Sequence, residues 1–494
     1  MSTWQRLDPE RIPAGQWRAR VADALGSGAR LASVAGHHDA DGIRVVHTYL
    51  TPGEPPYELA VTIPDDAPGI SSVADLSFSA GRFEREVRDL YGLIPLGHPL
   101  PQRLVRHGHW PQGYHPMRSD APSEPGFAED LGSFPFLSVG GDGVYEIPVG
   151  PIHAGLIEPG HFRFSVVGET ILRMKARLWF VHRGVEKLFE GRPADQGIAI
   201  AERISGDTAV GHSLAFVQAV ERALGIAVSE SVHARRAVLL ELERLYNHVA
   251  DLGAIVNDVG YGIIHAQAQV LRERLLRHNE SVTGHRLLRG AITIGDTRWR
   301  AIPDAALLAE VGAELAELVA IALGNHVVAD RLTGTSPLAL EQARRLGTLG
   351  YVAKASGLAN DARQEHPFLR LPEFGPVTES TGDVLARFRI RAREAAQSIR
   401  LIAQLAESSG SPSSGGTLMP SMDHTAAGLG VVEAWRGTLV HRVELRNGAI
   451  TRCKVVDPSF FNWPALPIAL SDTIVPDFPL TNKSFNQSYA GNDL

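Results

Sequence analysis

Apolar residues recur at helical spacing from 235 to about 256, where Val238, Leu242, Leu245, Tyr246, Val249, Leu252 and Val256 fall on one face. Glu241, Arg244, His248 and Asp251 gather on another. Two readings of that second face stay open: the solvated side of a helical bundle, or charges lining a buried path. Similar patterns predict helices over roughly 208–224, 262–280, 301–329 and 383–406. The first 118 residues read differently. Alternating stretches such as 43–50 and 58–64 lie between Pro and Gly breaks and predict strands of a small α+β domain.

The polar run 118–126 carries two prolines, and its composition suits an exposed linker. The expected organisation is therefore α+β: an N-terminal α+β domain at 1–118, a linker at 119–140, and a mainly helical domain with short β elements at 141–494. The segment 162–167 predicts a β entry to the large domain, and 443–450 a strand and turn near its end. Beyond residue 456 the prolines at 458, 464, 476 and 479 argue against regular pairing. That tail keeps many Phe, Trp and Leu residues, which predicts packing against the rest of the chain.

Composition narrows the chemistry. With 494 residues, 44% hydrophobic and 21% charged, the chain has the make-up of a well-packed protein of two to four domains. A net charge of −7 gives no reason to expect nucleic acid or direct lipid binding. The start lacks a basic stretch followed by an apolar core, and no run approaches about 18 apolar residues. The expected location is cytoplasmic, with any membrane contact made through partners. One cysteine, Cys453, excludes a disulfide framework and any cysteine-rich zinc or iron–sulfur site. No P-loop, HExxH, G-x-S-x-G or strand-following G-x-G-x-x-G is present. The histidine pairs His107/His109 and His153/His161 read as structural rather than metal-binding.

The segment 150–164, GPIHAGLIEPGHFRF, resembles the opening motif of the large subunit of group 4 nickel–iron hydrogenases, relatives of the 49-kDa subunit of respiratory complex I. VHRGVEKL at 181–188, the block at 202–212, ELERLYNH at 241–248, EAWRG at 433–437 and PSFFNWPAL at 458–466 are similar to later blocks of that family. EREVRDLYG at 84–92, followed by Gly97-His98-Pro99 and Arg103, resembles the signature of the complex I 30-kDa subunit. A fused 30-kDa and 49-kDa chain is the arrangement of formate hydrogenlyase and hydrogenase-4 large subunits.

The departures from that family bear on function. The resemblance places Ser205 and Thr208 on the first pair of metal-ligand cysteines, and Ser459 and Asn462 on the second. Hydroxyls and an amide do not replace four thiolates around a soft metal centre, so no metal or other cofactor is expected on this chain. The resemblance puts Gly206 where complex I presents a quinone-binding tyrosine, Glu158 on a proton-relaying acid, Arg436 on an arginine over the hydrogenase centre, and His161 on a histidine near the quinone head. It implies three kinds of partner: an iron–sulfur small subunit (complex I 20-kDa-like), a ferredoxin-like iron–sulfur subunit, and membrane antiporter-like subunits. These would hold the chain at the inner face of the cell membrane.

Two functions follow. In one, Glu158, His161, Ser205, Thr208, Arg436, Ser459 and Asn462 form a cavity that passes electrons from a partner's cluster to a quinone or similar acceptor, with Glu158 and His161 moving protons. In the other, the chain is a non-catalytic coupling subunit of the same kind of complex. Active hydrogen turnover is the least favoured reading.

Overall fold

The structure, a computed structural model, describes residues 6–129, 134–155, 157–371, 373–411, 413–415 and 425–494. The fold is α+β. Strands Arg30–Asp39, Gly42–Leu50 and Tyr57–Ile63 form an antiparallel sheet, extended at one edge by Glu10–Arg11 running parallel to Tyr57–Ile63. Helix Phe78–Tyr91 packs on this sheet, capped by the Ser77 side chain at its start and by left-handed Gly92 at its end. Residues 119–140, expected to form a linker, hold no helix or strand where they are described.

Helix Glu230–Asn257 runs through the large domain and packs against helices Gly262–Thr283 and Val384–Ala406. The periodic segments 208–224, 262–280 and 383–406 form helices Ala209–Leu224, Gly262–Thr283 and Val384–Ala406. The segment 301–329 instead forms two helices, Ala305–Gly324 and His326–Leu332. The break falls at Asn325, whose side chain accepts from the amides of Val327 and Val328 and so starts a new helix.

The charged face of the central helix is buried. Glu241, Arg244, His248 and Asp251 are at most 5% exposed, so the solvated reading fails. Arg363 bridges Glu241 and Asp361, His248 meets Glu394 at 2.8 Å, and Arg391 meets Asp251 at 2.8 Å. Lys354 is the hub. Its Nζ lies 2.6 Å from Asp361, 2.7 Å from Glu394 and 3.6 Å from Glu433. Burial alone would lower the lysine pKa, but the three carboxylates outweigh it and the pKa is raised.

The C-terminal region is more regular than its prolines suggest. Thr425–Ala434, Gly437–Arg446 and Ala449–Val456 make a three-stranded antiparallel sheet against helix Ala209–Leu224. Gly428 and Gly430 let the first strand reach that helix, since a Cβ at either would collide with the carbonyl of Ala219 or Ala215. The tail then forms helices Pro458–Asn462, Ala465–Ala469, Phe478–Phe485 and Tyr489–Asp493. Pro458 and Pro479 occupy the first turns of their helices, where a missing amide costs nothing, so these prolines start helices and do not prevent them.

The tail packs as expected, and its cover includes the N-terminal domain. Phe460 stacks on Phe83 at 4.4 Å, and tail and N-terminal sheet share one apolar cluster. Buried ion pairs Arg442–Glu58 and Lys454–Glu86 join the C-terminal sheet to the N-terminal domain as well.

Replacing Lys354 with Met leaves three buried carboxylates without their shared cation. We expect Lys354→Met to lower stability by about 3 kcal/mol or more, read as a fall in the urea midpoint. An unchanged midpoint would show that the carboxylates are neutralised some other way.

Candidate functional site: an ion pair among the expected ligand positions

Three separate stretches of chain meet at the site. The loop 202–208 leads into helix Ala209–Leu224, with Thr208 as the residue before its first turn. Trp435 and Arg436 form the two-residue tip of the hairpin between Thr425–Ala434 and Gly437–Arg446. Left-handed Gly350 lets the tip seat closely, because a Cβ there would strike the Arg436 carbonyl. The tail supplies Asp457, which caps helix Pro458–Asn462 by accepting from the Ser459 amide at 2.7 Å. It also supplies Ser488, which caps the final helix by accepting from the Gly491 amide at 2.9 Å.

At the centre stands Asp207. Arg436 binds it in a fork, Nη1 donating to Oδ1 and Nη2 to Oδ2, each at 2.7 Å. The Ser205 and Thr208 hydroxyls donate to Oδ1 at 3.0 and 2.9 Å. Arg436 Nε donates to the Asn486 carbonyl, and the guanidinium lies 3.9 Å over the Trp435 ring. The indole N–H donates to the Asp207 carbonyl and to Thr208 Oγ1, both at 3.1 Å. Ser205 Oγ meets Ser488 Oγ at 2.8 Å, and the Ser488 amide donates to Ser459 Oγ at 3.0 Å.

Burial would raise the Asp207 pKa, but the Arg436 charge and the hydrogen bonds from Arg436, Thr208 and Ser205 hold it at about 2. Glu243 is the counter-case. Its carboxylate accepts from the Val210 and Gly211 amides at 2.7 and 3.0 Å at the start of the helix. Burial nevertheless pushes its pKa up to about 8, so this carboxyl carries a proton at neutral pH. Asn247 joins the two acids, donating to the backbone carbonyls of both Asp207 and Glu243. Behind the site, His212 touches Asp457 at 3.1 Å and His441 at 3.1 Å, and His441 reaches the Cys453 sulfur at 4.0 Å.

The expected site residues divide. Ser205, Thr208 and Arg436 converge on Asp207, and Ser459 joins them through Ser488. Asn462 turns away, its amide closing a two-way bond with the Leu349 backbone at 2.8 and 3.2 Å. Glu158 touches the final helix by accepting from the Ala490 amide at 2.9 Å. His161 stands apart, with Nδ1 on the Gly150 carbonyl at 3.1 Å and its ring 5.4 Å from Phe136. Asp207, Glu243, Trp435 and Ser488 had not been anticipated. A carboxylate between Ser205 and Thr208 was a usable signal, since an arginine buried nearby requires a partner.

These residues do not fit a nickel–iron centre. The groups at the four expected ligand positions are hydroxyls and an amide, each engaged in the bonds above. Burial pushes the Cys453 thiol up, so it stays protonated and is a poor ligand. Among the described residues no group of three or more His, Cys, Asp or Glu side chains could hold a metal ion.

Residues 16–126 match the family model of the respiratory-chain NADH dehydrogenase 30-kDa subunit, and residues 258–424 that of the 49-kDa subunit. Formate hydrogenlyase subunit 5 of Escherichia coli is 34% identical, the alignment spanning 83% of this chain and 74% of that one. Hydrogenase-4 component G of the same organism is 33% identical, over 83% and 73%. The chain belongs to this family, in which complex I 30-kDa and 49-kDa units are fused and which is homologous to group 4 hydrogenase large subunits. The fold is shared with a chain of the membrane-bound sulfane sulfur reductase, an archaeal respiratory membrane complex. That match has 24% identity and a TM-score of 0.65, and covers 71% of this chain and 98% of that one.

Two pH profiles follow. Asp207 titrates lower in the fold than in the unfolded chain, so its stabilisation is complete above about pH 4 and fades as pH falls toward 2. Asp207→Asn should therefore cost about 1 kcal/mol at pH 7, a value reduced for the 38% exposure of the side chain, with the deficit shrinking in acid. Glu243 titrates higher in the fold, so its contribution is complete below about pH 4.5 and is lost as pH rises through about 8. Melting temperatures of Glu243→Gln and wild type should diverge in the variant's favour across that range. Parallel curves would contradict the protonated state of Glu243.

Proposed function

We propose that this chain is the peripheral large subunit of a membrane-bound complex I-like oxidoreductase, without a nickel–iron centre, working beside an iron–sulfur partner and membrane ion-translocating subunits. Its named relatives and its fold support the setting. No helix among the described residues is long and apolar enough to cross a membrane, so membrane subunits would provide the attachment.

Within that complex the geometry favours a coupling role over catalysis. The observation that carries this reading is the forked Arg436–Asp207 pair among the expected ligand positions. Four of the five Arg436 N–H groups are spent on Asp207, Thr208 and the Asn486 carbonyl, which leaves a single Nη2 N–H for any other oxygen. The pair locks the hairpin tip to the loop before helix Ala209–Leu224 and to the tail.

A second reading has its own support. The Asp207 side chain remains 38% exposed, and Glu243 holds a proton behind it. A small acceptor such as a quinone that displaced Arg436 from Asp207 would meet a cation and a nearby proton source.

The purified complex should contain iron and no stoichiometric nickel by elemental analysis. On the coupling reading, quinone-analogue reduction is absent or is unchanged in Asp207→Asn, while ion translocation falls. A rate that drops at least tenfold in Asp207→Asn with the complex intact would establish the second reading. Stoichiometric nickel would overturn both.

A further inference from the structure

The N-terminal domain carries a cavity that the proposed role does not use. It has a volume of about 490 Å³, and its lining includes Arg88, Arg103, Arg106, His107, Trp110 and His115. A volume of this size suits a small organic ligand. Three guanidiniums face it, while Asp89 is the only carboxylate among the described lining residues. That carboxylate is already engaged: Asp89 Oδ2 accepts from the amides of Leu104, Val105 and Arg106 at 2.7, 2.8 and 3.2 Å.

The arginines are not neutralised by their own contacts. Arg88 donates to the Pro101 carbonyl, and Arg106 to the Trp110 and Pro111 carbonyls at 3.2 and 2.7 Å. Arg103 Nε is buried with no hydrogen-bond partner. Behind the lining, Arg85 holds the carbonyls of Gln102 and Arg103, and Arg177 those of Leu104 and Arg106. Carbonyl oxygens satisfy the N–H groups but supply no countercharge. Burial, then repulsion from Arg103, draws the Arg177 pKa down to about 10, with Asp89 and Asp493 opposing the fall only in part. The histidines add no charge at neutral pH. Burial lowers His107 to about 4 and lowers His115, with Nε2 of the first on the Trp179 carbonyl and Nδ1 of the second on the Asp89 carbonyl.

Planar, permanently charged guanidiniums without carboxylate partners match the oxygens of a phosphoryl group. Ile94, Trp110 and Pro111 offer an apolar wall for the rest of a ligand. We propose that this cavity binds a phosphate ester, through its phosphoryl oxygens on Arg103 and Arg106. The ester is either a soluble organic phosphate or the headgroup of a phospholipid. A phosphoryl dianion or a phosphodiester supplies the countercharge that the loop 101–106 lacks.

Calorimetric titration of the full chain with glycerol phosphate tests the first source. Co-sedimentation with phosphatidylglycerol vesicles, against phosphatidylcholine vesicles, tests the second. We expect saturable binding in at least one arm, weakened tenfold or more in the Arg103→Gln/Arg106→Gln double variant. The Arg103→Lys/Arg106→Lys variant, which keeps the charge, should retain a measurable part of it, and Arg344→Gln, an exposed arginine outside the cavity lining, should bind as wild type. Equal circular dichroism and melting temperature in the glutamine variant would show that the loss is not unfolding. Absence of saturable binding in both arms, or undiminished binding in the glutamine variant, would overturn the proposal. So would glutamine variants that bind phosphate normally but lose a partner subunit, since the cavity would then be an acidic protein's docking site.

Discussion

Many of the charges buried in this protein are met by an opposite charge, and the partner often comes from a distant part of the chain. An unpaired ion in the interior is penalised by several kcal/mol, whereas a paired and hydrogen-bonded one is tolerated. Lys354 therefore draws together Asp361, Glu394 and Glu433 from three separate elements. Arg442 reaches Glu58 across 384 residues of sequence, and Lys454 reaches Glu86 and Glu186. Such pairs add little stability over an apolar core of equal volume. They do penalise any arrangement that separates the partners, which makes the relative placement of N-terminal domain, helices and tail specific.

The Asp207–Arg436 pair applies the same rule at the candidate site. Arg436 sits at a hairpin tip fixed by Gly350, and Asp207 in a loop fixed by the helix that follows it. With thiolates and a metal, such a place would be held by coordination. Here a guanidinium fork, two hydroxyls and an indole N–H bring the same segments together. Hydrogen-bonded ions hold geometry without offering a redox couple, and this is the physical basis for preferring coupling over catalysis.

Much of this was legible from sequence, for reasons that differ by element. The helices could be read because a one-sided apolar stripe needs a core, and their bounds fell within a few residues for 208–224, 262–280 and 383–406. The two flanking strands of the C-terminal sheet were largely missed. Gly428 and Gly430 weaken the strand pattern of the first, and they are there because a helix backbone presses on it. The tail prolines argued correctly against strand pairing but did not reveal the helices they start, since proline at a first helical turn looks the same in sequence as proline in a loop. Within the candidate site, Ser205, Thr208 and Arg436 are residues that the resemblance singles out. Asp207 and Glu243 are not among them, because a carboxylate reveals its role only once its partner, or the lack of one, is known in space. Asn462 and His161 illustrate the reverse: aligned positions whose side chains bond to nearby backbone.

The final helix connects the separate parts of this description. Ser488 binds Ser205 and Ser459, and the Ala490 amide binds Glu158. The Asp493 carbonyl accepts from His182, and its carboxylate from the Val181 amide at 3.1 Å. Six residues thus touch Glu158 in the segment 150–164, the loop holding Asp207, and the block at 181–188. The Asp493 carboxyl is raised to about 6, first by burial and in part by Glu158. A change of charge at Glu158 would therefore be felt by the Asp493 carboxyl against residue 181. One short helix thus ties a carboxyl of shifted pKa to the segments that hold the Asp207–Arg436 pair, through hydrogen bonds and without a metal.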